Sequence, residues 1–141
     1  MSKRTRPMRG TALMEFALAW PVAMLLVLGA VESAVWGSEV FAARSAALAG
    51  ARAGVVVGAG AATAAKMALR TLSPSLVGVA ASVWCPGESL SSPAVWVCAR
   101  DLGNAIEVEI GGEVPALVPI VGERGLPIRA RVIVQKEAFA R

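Results

Sequence analysis

From Phe16 to Val31 the chain reads FALAWPVAMLLVLGAV, sixteen residues without a charge. A bilayer span needs about 20 residues, so this run alone is slightly short. Adding Thr11 to Glu15 gives 21 residues. As a helix that is about 32 Å long, enough for a hydrocarbon core of about 30 Å. The span therefore closes only if it includes Glu15. Lys3, Arg4, Arg6 and Arg9 precede it with no acid among them, and Glu32-Ser33 ends it. That asymmetry predicts one membrane crossing over 11–32, with the N-terminus cytoplasmic and the remainder extracytoplasmic. Trp36, one turn past the exit, suits the headgroup layer. Pro21 removes a helical hydrogen bond and predicts a kink or local softening. A removable signal peptide shares the basic start and the apolar run. No small-x-small cleavage site follows, however; Val31-Glu32-Ser33 before Ala34 is the nearest candidate.

The formal charge of +4 is confined to residues 1–10; the rest of the 141-residue chain holds ten bases and ten acids. A nucleic-acid binder would carry its basic excess on the folded body, so no nucleic-acid partner is expected. The chain has no His, two Cys and a single Asp, Asp101. It therefore cannot build a Ser-His-Asp or Cys-His triad, a His-based metal site or a four-Cys zinc site. Gly58-Ala59-Gly60 lacks the Lys-Ser/Thr of a phosphate-binding loop. No metal, no cofactor and no enzymatic activity are expected.

An ionised carboxylate in lipid costs a few kcal/mol, so Glu15 calls for a partner. No Lys or Arg lies within the span. A cut after Gly10 would create one cation, the new amino group of Thr11. Glu15 would then be the fifth residue, one turn along on the same helix face. The same cation could belong to a neighbouring chain displaced by about one turn. The plainer alternative is an acid that snorkels to the membrane edge.

These residues resemble type IV pilin precursors, in which a short basic leader ends in Gly and a Glu lies fifth beyond the cut. RGTALMEFALAWPVAMLLVLGAVE, residues 9–32, resembles more closely the N-terminus of TadE-like proteins. These are minor pilins or pseudopilins of tight-adherence (Tad/Flp) pili. Gly29 and Glu32 fit the G-x-x-E that closes their Leu-rich run. Ala46 to Arg52 is similar to a family A-A-R-E-G-A-R-like stretch, with Leu48-Ala49 in place of Arg-Glu. The closing RARVIVQKE resembles the family's last strand. The resemblance implies cleavage between Gly10 and Thr11 by a membrane prepilin peptidase. It further implies charge pairing by Glu15 and assembly with other pilins or pseudopilins on inner-membrane platform proteins. Subunit packing is expected on the apolar face of the span, through Phe16, Leu18, Pro21, Leu25, Leu28 and Gly29.

Beyond the membrane, Gly50, Gly54 and Gly58 are four apart, as are Ala43, Ala47 and Ala51. Each trio makes a groove for close helix approach. It serves either lateral packing between subunits or packing within the chain's own domain. One helix is expected from 11 to about 54, with a break near Gly37. Gly54-Val-Val-Val-Gly58 either ends it or starts a strand. A second helix is expected over Ala61–Leu72, stopped by Ser73-Pro74. Cys85 and Cys98 lie in a loop marked by Pro86, Gly87 and Pro93; outside the cytoplasm a disulfide is the default. Two free thiols or a redox pair are the alternatives. Ile106, Val108 and Ile110 alternate with Glu107 and Glu109, and Ile128, Ala130, Val132 and Val134 with Arg129 and Arg131. Both read as strands with one buried face, joined by a loop beginning at Gly111-Gly112. Antiparallel pairing would set acids against arginines. A third strand, from Ser82 or Val95–Val97, is needed to close a core.

The expected fold is α+β: a long N-terminal transmembrane helix, then a small exported domain with a second helix and a short antiparallel sheet. The expected division is a leader at 1–10, the span at 11–32, a helical continuation at 33–57 and a head at 58–141. An uncleaved, signal-anchored envelope scaffold is the alternative to a pilin.

Overall fold

In a computed structural model the long apolar segment and the alanine-rich segment after it form one helix, α1, Arg9–Gly54. The structure describes residues 9–88, 91–117 and 125–136, with side chains from Leu13 onward. Helix α1 runs through Pro21 and is unbroken at Gly37. A lone glycine costs a helix only about 1 kcal/mol, too little to stop one flanked by good formers. Val55–Val57 form the turn that follows, and helix α2 is Ala61–Leu72. A short 3-10 turn, Ser73–Ser75, ends α2, with the Ser73 hydroxyl bonded to the Leu69 carbonyl.

Four strands follow: β1 Ala81–Val83, β2 Val95–Asp101, β3 Ala105–Val114 and β4 Leu126–Gln135. They lie side by side in chain order. The sheet is mixed, not purely antiparallel: β2–β3 and β3–β4 are antiparallel, but β1 runs parallel to β2. The two candidate third strands are both present, as neighbours. Chain reversal between them would require a hairpin; the long 84–94 connection instead returns the chain in the same direction.

One sheet face carries Val95, Val97, Ile106, Val108, Ile110, Ile128 and Ala130, all buried against the helices. The helical side of that core is almost wholly alanine: Ala42, Ala43, Ala46, Ala47 and Ala51 of α1, with Ala64, Ala68 and Leu72 of α2. Small side chains let the helices approach closely. A methyl group placed on Gly50 would lie 2.7 Å from both the Ala64 carbonyl oxygen and the Ala68 Cβ; one on Gly54 would lie 2.8 Å from the Ala64 Cβ. The small-residue stripe is thus used within the domain. Gly58 takes no part; it sits in the turn at φ +79°, facing open space.

The opposite sheet face is polar. Glu107 and Glu109 are buried there beneath arginine stems from both flanking strands. Register sets Glu109 directly opposite Arg131. The close ion pairs nonetheless run diagonally, Arg129 to Glu109 at 3.0 Å and Arg131 to Glu107. Arg100 of β2 approaches both carboxylates at 3.9 Å. Gly111-Gly112 does not open a loop. Both lie inside β3, because the Trp96 ring covers Gly111 and the Ala94 carbonyl crowds Gly112. A side chain at Gly112 would meet that oxygen at 2.0 Å, and the residue holds φ +138°. The disulfide Cys85–Cys98 is formed, with Cα atoms 4.7 Å apart. It ties the end of β1 to β2, where Trp84 and Trp96 meet edge to face at 5.8 Å.

Candidate functional site

Helix α1 changes character at Glu32. Every described side chain from Leu13 to Val31 is exposed. In sequence and exposure this is the one described helix long and apolar enough to cross a membrane. Beyond Glu32, residues at three- and four-residue spacing turn inward: Glu32, Glu39, Ala43, Ala46, Ala47 and Gly50. Helical geometry alone gives that stripe, since residues three, four and seven apart share a face.

Gly10 and Thr11 lie in the first turn of α1. The rest of the expected leader, residues 1–8, lies outside the described residues. Glu15 is exposed on the helix surface, one turn beyond Thr11, about 6 Å along the axis. It makes no ion pair among the described residues. The expected packing residues divide. Leu18, Pro21, Leu25, Leu28 and Gly29 follow one another at helical spacing and lead straight into Glu32, so they lie on the head-bearing side. Phe16 lies across the helix from them, its ring 5.8 Å from that of Trp20. A methyl group on Gly29 would meet nothing within 4 Å.

Three residues fasten the head to α1, and two of them are buried acids. Both carboxylate oxygens of Glu32 accept the Leu117 N–H, at 3.1 and 2.9 Å. The Glu39 carboxylate accepts the Val77 N–H at 3.1 Å. The Trp36 indole N–H donates to the Pro127 carbonyl at 3.1 Å. Trp36 is therefore a tether to β4. Sequence reasoning read Glu32 as the polar end of the span and passed over Glu39. The available signal was their seven-residue spacing on the stripe that also holds Ala43, Ala46 and Gly50. A charged-to-backbone hydrogen bond of this kind contributes roughly 1.5–3 kcal/mol.

At the far end of the head, Lys136 holds both oxygens of Asp101 at 2.8 Å. That ammonium, with the Gly103 N–H as the smaller cause, keeps the Asp101 carboxyl below the ordinary carboxylate range. Two depressions of about 440 and 310 Å³ adjoin Ala94; Glu113 is the one charged residue lining either. Among the described residues no group of three His, Cys, Asp or Glu side chains is placed to hold a metal.

Comparison with family models, with characterised proteins and with solved structures finds no match to this chain.

Proposed function

We propose that the chain is a TadE-like minor pilin or pseudopilin, a structural subunit in assembly of a Tad/Flp type IV pilus. The observation that carries this reading is one helical segment. Residues 13–31 expose apolar side chains on every face, and their one acid lies five positions after the glycine that ends a basic stretch. Water is a poor solvent for such a surface; lipid and neighbouring helices are good ones. The buried half of the same helix makes the head and the span a single lever, which suits a subunit that moves as a body.

In this reading the protein resides in the inner membrane with its head extracytoplasmic. A prepilin peptidase cuts between Gly10 and Thr11. The new ammonium of Thr11, on the same chain or a neighbour, then neutralises Glu15. Residues Leu18, Pro21, Leu25, Leu28 and Gly29 supply one packing face and Phe16 packs from the opposite side, with other pilins and the platform proteins as partners. The chain acts by assembly and not by catalysis.

The deciding measurement is the N-terminal mass of the protein purified from membranes, with and without an active prepilin peptidase. A peptidase-dependent Thr11 terminus is expected, and Gly10→Leu should leave the full-length chain in the membrane. A Met1 or Ser2 terminus in the presence of the active peptidase overturns the reading in favour of an uncleaved anchored scaffold. Glu15→Ala should still be cut, with a reduced assembled fraction.

A further inference from the structure

We propose that the base of the head is itself a lipid-binding surface: Leu117 and Trp36 sit in the headgroup layer of the bilayer that α1 crosses. This rests on residues 11–31 being the span. It does not need cleavage or a pilus.

The height of each fastening along α1 gives the depth of the head. Glu32 is the first ionisable residue after the uncharged run, so the hydrocarbon boundary falls beside it. Its carboxylate grips the Leu117 N–H. The backbone of Leu117 is therefore within one side-chain length of that boundary. Trp36 lies about 6 Å further out and Glu39 about 10 Å. The polar layer of a leaflet is about 5–8 Å deep. Leu117 and Trp36 thus fall inside it, and Val77, held by Glu39, lies just beyond it.

The side chains presented at that depth match the layer. Leu117 turns its amide inward to Glu32, and the residue is 53% exposed. Trp36 spends its N–H on Pro127 while the residue stays 39% exposed. An aliphatic side chain and an indole with its polar atom already satisfied suit the boundary between acyl chains and headgroups.

In the unassembled subunit, before other chains reach the same face, lipid is the occupant that continuity requires. The head overhangs the side of α1 that carries Leu18, Leu25 and Leu28, all exposed below it. Whatever solvates those residues reaches the underside of the head at Glu32. With no linker between α1 and the head, the sheet cannot stand clear of the membrane without breaking the Glu32 and Trp36 bonds.

The test uses the full chain, disulfide intact, in nanodiscs of phosphatidylcholine and phosphatidylglycerol. Spin labels are placed singly at Leu25→Cys, Leu117→Cys and Val57→Cys, and collision with oxygen is compared with collision with a water-soluble nickel chelate. The oxygen-to-nickel ratio should be highest at position 25 and several-fold higher at 117 than at 57, the exposed turn at the other end of the head. A lipid-like value at 25 with equal values at 117 and 57 overturns the proposal while leaving the span intact. Water-like values at all three positions mean that the span reading itself has failed. A second measurement avoids the label at 117. In a Trp20→Phe background, headgroup-proximal brominated lipids should quench tryptophan fluorescence, and adding Trp36→Phe should remove most of that quenching. Quenching unchanged by Trp36→Phe counts against the proposal.

Discussion

The two halves of α1 differ in composition and are opposite in use. Residues 13–31 carry large apolar side chains on all sides, and every one of these residues is exposed. Residues 32–54 are small on one side, and that side is buried against α2 and the sheet. The difference is one of partner size. Alanine and glycine bury little area each, so they stabilise only by letting backbones come close enough for many contacts. Leucine, valine and tryptophan bury much area each and need a large apolar phase that the head does not supply. A continuous helix can thus be folded by two different solvents, with Glu32 marking the change.

Glycine substitutions offer the strongest way to break that comparison. Gly50→Leu drives a side chain into the Ala64 carbonyl and Ala68, 2.7 Å from where its Cβ would stand. A loss of more than about 3 kcal/mol in head stability is expected, read as a lowered Tm of the full chain in detergent. Gly29→Leu meets nothing within 4 Å and should leave that transition where it is. Equal losses from both would mean that the halves are not energetically separate.

The disulfide comes next in size. Its 13-residue separation closes a loop worth about 3 kcal/mol through the unfolded state. Cys98→Ser with Cys85→Ser should lower the head's denaturation midpoint by that amount. The loss should be unaffected by detergent or lipid, because the bond lies in the sheet and not on α1. A loss that changes with the amphiphile would tie β1 to the membrane side instead.

The parts of this fold with a local period were legible in the sequence. The uncharged run gave the exposed half of α1, and the alternations around Ile106–Ile110 and Ile128–Val134 gave β3 and β4. Long-range contacts had no such signature. β1 has only three residues, and its parallel pairing with β2 depends on where a connection of more than ten residues happens to return. Gly111-Gly112 reads as a turn until Trp96 and Ala94 are seen to occupy the space where side chains would stand. Glu32 and Leu117 are 85 positions apart, Glu39 and Val77 38. An acid that accepts a distant backbone N–H looks, in sequence, like an acid facing water. For the proposed assembly residues the position is reversed. Gly10, Thr11 and Glu15 stand out in the sequence through their mutual spacing, and among the described residues Glu15 makes no ion pair.

Glu32 and Glu15 sharpen the comparison at single-residue scale, since both are acids near the ends of one span. Glu32→Ala leaves the part-buried Leu117 N–H without its carboxylate, and a loss of about 1–3 kcal/mol is expected in head stability. Glu15→Ala should leave the head transition unmoved, because Glu15 touches no part of it. Chemical denaturation monitored by head tryptophan fluorescence separates the two. A destabilising Glu15→Ala would place that acid in the fold and remove its reason to be paired elsewhere.

The smallest expected effect lies at the far end of the head. Lys136, and secondarily the Gly103 N–H, hold the Asp101 carboxyl below its ordinary range. In the unfolded chain the same group titrates near pH 3.9. Folding therefore favours the ionised form, and the stabilisation is complete above about pH 4. It is lost as the pH falls through the depressed folded value, where protonation dissolves the pair with Lys136. Asp101→Asn should flatten that part of the acid limb of Tm against pH. At neutral pH, this solvent-exposed pair should change Tm little, and still less in high salt. The exposed apolar half of α1 carries no group involved in this equilibrium, so oxygen accessibility at a label on Leu25→Cys should stay constant across the same pH range. An acid transition that reports equally at position 25 and at the head would show that the two halves melt together, and that Glu32 is not the boundary between them.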